Sequence, residues 1–180
     1  MKFDPYTQVP QLPSFEIHSD DVLDGGSFAD DQLSGIFGAG GSDVSPHLEW
    51  SGFPKETKSF AITMLDADAP TGSGFWHWSV ADIPADVTAV ARGVGNSDGR
   101  GLPPGSIALR NDAGLRGYLG AAPPAGHGPH RYYLMVHAVD VDTLGLTESS
   151  TPAMLGFKLF EHSIARGKLV LVHETATSGR

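Results

Sequence analysis

Hydrophobic positions in this chain fall in short runs, about four to eight residues long, separated by Gly- and Pro-rich breaks, which is the pattern of strands rather than of helices. Ser14 to His18 alternates and predicts an edge or early strand, with a turn at Asp24-Gly25-Gly26. Ser45-Pro46 leads into Leu48 and Trp50, a strand with Trp50 in the core. Phe60 to Leu65 and His77 to Ile83 predict two strands bracketing an acidic turn, the second closed by Pro84. Residues 86–111 lack periodicity and hold Gly93, Gly95, Gly99, Gly101, Pro103, Pro104 and Gly105, a long excursion. A strand is expected over Arg131 to Asp142 and a last one over Lys168 to His173. One helix is expected, Pro152 to Arg166, with Thr151 as cap, Pro152 in the first turn and Gly167 as stop. Ala153, Phe157, Phe160 and Ile164 form its apolar stripe, expected to pack on a sheet. Residues 1–13 read as an extended arm and 175–180 as a polar tail. With no repeat and no linker, residues 1–180 form one domain.

Composition narrows the class. The 180 residues suffice for a core without staples, and 23 Gly with 13 Pro suit a turn-rich, mainly antiparallel β protein. The absence of cysteine removes disulfides, thiolate nucleophiles and Cys-type zinc sites, in keeping with a reducing compartment. Lys and Arg number 12 against 21 Asp and Glu, a formal charge of −9 with no basic cluster, which argues against nucleic acid as a partner. Met-Lys-Phe-Asp-Pro-Tyr lacks a signal-like apolar core, and no run approaches the roughly 20 residues of a membrane helix. A soluble, cytoplasmic protein without stable membrane insertion is expected.

The chemistry concentrates in two stretches. Tyr118 to Tyr133 is a stiff loop, with Pro123-Pro124 and the bends of Gly126 and Gly128, that runs into a strand. By alternation His130 and Tyr132 share a face of that strand and Arg131 takes the other. Leu65 to Trp78 carries Asp66, Asp68, Pro70 and His77; Asp66 and Asp68 share a face if the preceding strand reaches that far. An imidazole and a phenol beside free backbone groups suit a small polar or anionic group. Read alone, Asp66 and Asp68 are better explained as turn-capping carboxylates, His77 as a packed histidine and His130 as a partner of a loop carbonyl. His18 reads as a surface residue, and His127 and His137 as ordinary loop and sheet residues. Gly35, Gly38, Gly40 and Gly41 lack the Gly-Lys-Ser/Thr of a phosphate loop and read as a flexible loop. No nucleophile elbow and no His-x-x-x-His pair occurs, so no catalytic residue, metal ligand or cofactor is assigned.

Asp66-Ala-Asp-Ala-Pro70 with Trp76-His77-Trp78, and Gly120-x-x-Pro-Pro-x-Gly-x-Gly-Pro-His-Arg-Tyr132, resemble the two signature segments of the phosphatidylethanolamine-binding protein family, the Raf kinase inhibitor-like proteins, in its bacterial branch. Ser45 to Trp50, Lys58 to Ala61, Asn111 to Gly114 and His162 to Ala165 follow in the same order, so the likeness spans nearly the whole chain. The resemblance implies a sandwich in which a large antiparallel Greek-key sheet packs on a smaller sheet, with one α-helix in the C-terminal region. It implies an anion-binding pocket around Asp66, His77, His130 and Tyr132, walled by Pro70, Tyr118, Gly120 and Pro124, with Asp68 in support. It also implies binding of phosphate-bearing or carboxylate small groups without turnover, inhibition of a kinase or protease in some members, and a homodimer. The runner-up is a hydrolase or metal-assisted enzyme acting on a small anion through the Asp/His cluster. Ala67 stands where the family has proline and is expected to loosen the turn; Ala121 and Ala122 alter the pocket rim. The family further suggests a cis bond at Ala69-Pro70.

Overall fold

A computed structural model describes residues 4–96 and 99–177. Eight strands form two antiparallel sheets: β1 (Glu16–His18), β2 (Leu48–Ser51) and β5 (Ala89–Val90) in a three-stranded sheet of order β1-β2-β5, and β3 (Ser59–Asp66), β4 (Phe75–Pro84), β6 (Ile107–Ala108), β7 (His130–Val139) and β8 (Ser163–His173) in a five-stranded sheet of order β6-β4-β3-β7-β8. The mainly β, two-sheet architecture with one helix agrees with the expectation. The long excursion supplies one edge strand to each sheet, β5 and β6.

Alternation sorts the central strands between two cores. Phe60, Ile62 and Met64 of β3, Trp78 and Val80 of β4, and Leu134 and Val136 of β7 meet Leu48, Trp50 and Val90 of the small sheet. Ala61, Ala81 and Val139 face the other way, against Leu144, Leu146, Leu155 and Leu159. Covered on both faces, β3 is buried along its whole length, which is why it reads as a continuous apolar run.

The helix α1 (Pro152–His162) is capped as expected, the Thr151 side chain accepting from the Met154 N–H, but it ends four residues early. Ser163 to Arg166 belong instead to β8, where the register Ala138↔Ala165 and His137↔Arg166 takes their backbone groups. Its buried face is also different: Pro152, Leu155 and Leu159 point inward, whereas Phe157 and Phe160 are 55% and 58% exposed. The expected stripe leaned on Ile164, which is not helical; without it, the i, i+4 pair Leu155 and Leu159 meets the sheet. The arm is not simply extended, since Pro5–Gln8 form a 3-10 turn capped by Asp4 and Tyr6 lies against Tyr133 with ring centroids 5.7 Å apart. Residues 1–3 of the arm and 178–180 of the tail lie outside the described residues.

The glycine-rich loop is a clamp rather than a flexible connection. Asp43, at φ 56°, accepts the Gly35 and Ile36 N–H groups on one carboxylate oxygen and the Gly120 N–H on the other. Gly120 in turn lies against the segment before this loop, so closely that a Cβ would sit 2.3 Å from the Leu33 carbonyl carbon and 2.4 Å from the Gln32 oxygen. No cis peptide occurs among the described residues, so the Ala69-Pro70 bond is trans, contrary to the expectation.

Two outcomes follow from this packing. Gly120→Ala forces backbone apart rather than a side-chain tip, and is expected to lower unfolding free energy by about 1–3 kcal/mol, measured by urea denaturation; a cost below about 0.5 kcal/mol would contradict the close approach. The second concerns His137, fully buried on the helix side of β7 beside Thr63, where burial drives its pKa down from 6.5 to about 3. The unfolded chain therefore binds a proton that the folded chain refuses between these values. Stability is complete above about 6.5 and falls as pH drops towards about 3, by up to about 1.4 kcal/mol per unit from this group. His77 and His173 are depressed by burial in the same direction, so His137→Gln should reduce the slope without removing it.

Candidate functional site

The site begins in the register of the two central strands. Asp66 lies opposite Tyr132 in the β3–β7 pairing, so Asp66, Tyr132 and His130 stand on one face, as alternation requires. His130 Nδ1 is 2.7 Å from Asp66 Oδ2, with side-chain exposures of 1% and 5%. The Asp68 N–H holds the other carboxylate oxygen at 2.9 Å. Both oxygens of Asp66 are thus engaged, and the His130 ring is held in one orientation.

Asp68 does not share that face. β3 stops at Asp66, the chain turns, and the Asp68 carboxylate takes the Arg131 guanidinium at 2.8 and 2.9 Å together with the Arg131 N–H at 2.9 Å. This charge-assisted fork lies on the side to which alternation assigns Arg131, away from His130. Asp68 acts on the site through its backbone hold on Asp66. Ala67, expected to loosen the turn, strengthens the ladder: its N–H donates to the Arg131 carbonyl at 3.0 Å, a bond that proline cannot make.

His77 reaches the site because β4 is irregular there. Trp78 pairs with Met64 and Trp76 with Leu65, leaving His77 as an extra residue without a partner on β3. Such a bulge re-aims a side chain. Leu119 locks it from both sides, donating its N–H to the His77 carbonyl at 2.9 Å and accepting from His77 Nδ1 at 2.9 Å. The proton is thereby held on Nδ1, which leaves Nε2 as the acceptor of the neutral ring. Burial pushes the His77 pKa down, against the opposing pull of the Leu119 carbonyl and the Asp66 charge.

Asp66, Pro70, His77, Pro124 and His130 line one cavity of about 160 Å³, with Ala122 on its rim and Phe37 and Phe75 on its apolar side. Tyr118, Gly120 and Tyr132 stand behind this lining. The Tyr118 hydroxyl donates to the Gln32 carbonyl at 3.0 Å, and Gly120 is the close-packed rim described above. The Tyr132 ring wedges between Phe28 and His77, at centroid distances of 5.1 and 5.2 Å. Burial first, then the Asp66 charge, raises the Tyr132 hydroxyl far above the ordinary phenol pKa.

The sequence reading missed three contributors. His127 Nδ1 stands 2.7 Å from His130 Nε2, extending the pair into a chain Asp66, His130, His127. Gly126 and Gly128, at φ 76° and 84°, fold the loop so that a residue three before the strand returns to its first side chain; the two flanking glycines were the available signal. Phe37, whose ring meets Phe75 edge-on at 6.3 Å, and Asp43, which fixes Gly120, both come from the loop read as featureless, and no local pattern marked them. Asp66 accepts from His130 Nδ1, and His130 Nε2 faces His127, so both ring nitrogens of His130 are engaged within the chain. Thr71, the hydroxyl on the cavity wall, donates to the Gly74 carbonyl. Among the described residues no group of three or more His, Cys, Asp or Glu is arranged to hold a metal ion, and no helix is long and apolar enough to cross a membrane.

Comparison with known proteins places this geometry. The family model for phosphatidylethanolamine-binding protein matches residues 18–174. The chain is 40% identical over 164 residues to the Escherichia coli protein YbcL, covering 91% of this chain and 90% of that protein. It is 42% identical over 151 residues to Escherichia coli YbhB, covering 84% and 94%. The crystal structure of Escherichia coli YbcL superposes with a TM-score of 0.87 at 40% identity, covering 90% of this chain and 99% of that one. Carboxypeptidase Y inhibitor, solved with its cognate proteinase, shares the fold at a TM-score of 0.53 and 20% identity, covering 91% of this chain and 84% of that one. With a family model spanning most of the chain and relatives of this identity, the protein belongs to the phosphatidylethanolamine-binding protein family.

Proposed function

We propose that this protein binds a small anionic group, phosphate, a phosphomonoester or a phospholipid head group, in the cavity at Asp66, His77 and His130, and that it does so without turning it over. The observation that carries this reading is the pair of fixed imidazoles at a cavity of about 160 Å³, a size suited to one phosphate or carboxylate group rather than to a whole lipid. Phe37, Phe75, Pro70 and Pro124 offer apolar walls to whatever the anion is attached to. Binding is favoured over hydrolysis because the wall hydroxyl, Thr71, is committed to Gly74, and because His130 Nε2 faces another imidazole and not a nucleophile. A regulatory output, inhibition of a kinase or protease through the surface around the cavity, belongs to the same proposal; for a protease it has the fold-level analogy of the proteinase-bound carboxypeptidase Y inhibitor.

Charge decides how such a site must work. The protein carries a formal charge of −9 and Asp66 lies in the cavity wall, while Arg131, the nearest cation in sequence, is neutralised by Asp68 outside it. An anion is held only if a proton enters with it. His77 is available for this: its depressed pKa leaves it neutral in the free protein, and a bound anion favours its protonated form.

Phosphate affinity is therefore expected to rise as pH falls from about 8 to about 6, by at most about tenfold per unit for one proton taken up. Calorimetry in buffers of different ionisation enthalpy reads affinity and protons together; a flat affinity with no uptake would contradict the reading. His130→Ala, which removes the ring that holds the Asp66 carboxylate in the cavity wall, is expected to weaken phosphate by about 10- to 100-fold. Unchanged binding would place the anion elsewhere. Hydrolysis of a phosphomonoester or simple ester that is abolished by Asp66→Asn would establish the enzyme reading instead.

A further inference from the structure

The five-stranded sheet has a second cavity on its opposite face, about 210 Å³ in volume, beneath α1 and the N-terminal arm. Its walls are apolar: Val9 from the arm, Leu65 and Trp76 from the sheet, Leu159 and Phe160 from the helix. The polar groups it has lie together. Thr63 and His137 are hydrogen-bonded to each other at 3.0 Å, the Tyr6 hydroxyl is buried beside Thr63, and Arg166 stands directly across the β7–β8 ladder from His137.

This cluster is unfinished in hydrogen bonds and in charge. His137 Nδ1 and Arg166 Nε are both buried without a hydrogen-bond partner among the described residues, an arrangement that costs free energy unless something else satisfies it. Arg166 spends one terminal nitrogen on the Pro10 carbonyl at 2.9 Å and lies over the Tyr6 ring at 5.8 Å, yet it pairs with no carboxylate among the described residues. The nearby acid, Asp4, caps the arm by accepting the Tyr6 N–H at 2.8 Å. Burial keeps His137 neutral and raises Tyr6 to about 12, so near neutral pH the guanidinium is the one charge in the cavity wall.

The helix above leaves room. Gly156 lines the cavity, and a Cβ built on it meets no atom within 4 Å beyond the helix's own backbone. A glycine in a helix interior costs roughly 1 kcal/mol relative to alanine, and here, exposed at the edge of the cavity, it leaves that edge open.

We infer that this cavity is a second ligand site, separate from the Asp66 pocket, and that it takes a small monocarboxylic acid with an aryl or short alkyl body, the carboxylate on Arg166 and His137 and the body against Trp76, Leu65 and Leu159. The two sites lie on opposite faces of one sheet and are reached from different sides. Their ligands differ in kind, a compact polar anion at the Asp66 pocket and an apolar acid here.

Calorimetric titration of the full-length protein with benzoate, hexanoate, benzyl alcohol and inorganic phosphate tests this. Benzoate and hexanoate are expected to bind, benzyl alcohol to bind at least about tenfold more weakly, and phosphate not to compete with benzoate. Arg166→Met, which keeps the apolar stem, should weaken benzoate by about tenfold or more. Gly156→Leu should weaken benzoate binding by about tenfold or more while the melting temperature holds or rises, because leucine obstructs the cavity at its edge and favours the helix; this variant decides the matter if Arg166→Met fails to fold. His130→Ala should leave benzoate unchanged, whatever becomes of phosphate. Equal binding of benzyl alcohol, full benzoate binding by folded Gly156→Leu, or loss of benzoate in His130→Ala would each overturn the assignment.

Discussion

The pairing of β3 with β7 is the constraint on which the rest depends. It runs unbroken from Ser59↔Val139 to Asp66↔Tyr132, and its last rung puts the Asp66 carboxylate within 2.7 Å of His130. A slip of one residue would send Asp66 to the helix side of the sheet and expose Phe60, Ile62 and Met64 to the wrong core. The register is therefore set by hydrophobic burial along the whole strand, and the site inherits its geometry from that burial. Ala67 extends the ladder one bond further, and the Asp68 and Arg131 fork clamps its end from the opposite face.

Around this fixed pair the other site residues arrive by departures from regularity. His77 is turned inward by a bulge in β4, and His127 is folded back by two left-handed glycines. Gly120 is pinned by Asp43 from a loop far away in sequence. Each departure leaves backbone groups that must be satisfied locally, and each is: Leu119 serves His77 on both its carbonyl and its ring. The residues around the cavity are consequently held by hydrogen bonds at each departure from regular strand geometry.

The same sheet presents a different chemistry on its other face. There the contents are Leu65, Trp76 and Leu159, with His137 and Arg166 as the polar floor. Strand alternation alone produces this division, since neighbouring residues of β3, Leu65 and Asp66, open onto the two cavities. A single central strand thus separates a polar cavity from an apolar one that has Arg166 in its wall.

By itself the sequence determined the central strands but not the two short edge strands of the excursion, together with the cap of α1, the segregation of His130 and Tyr132 from Arg131, and the two segments that build the polar site. These follow from periodicity, from Pro and Gly, and from motifs, all of which act over a few residues. It did not determine where the helix ends or which face it buries, because the ladder with β7 competes for Ser163 to Arg166 and wins by pairing Ser163, Ala165 and Arg166 with Val139, Ala138 and His137. Nor did it separate Asp66 from Asp68, since that depends on where β3 stops, or reveal Asp43, Phe37 and the cavity beneath α1. Those contacts join residues tens of positions apart, and only the stacking of sheet, loop and helix decides which of them meet.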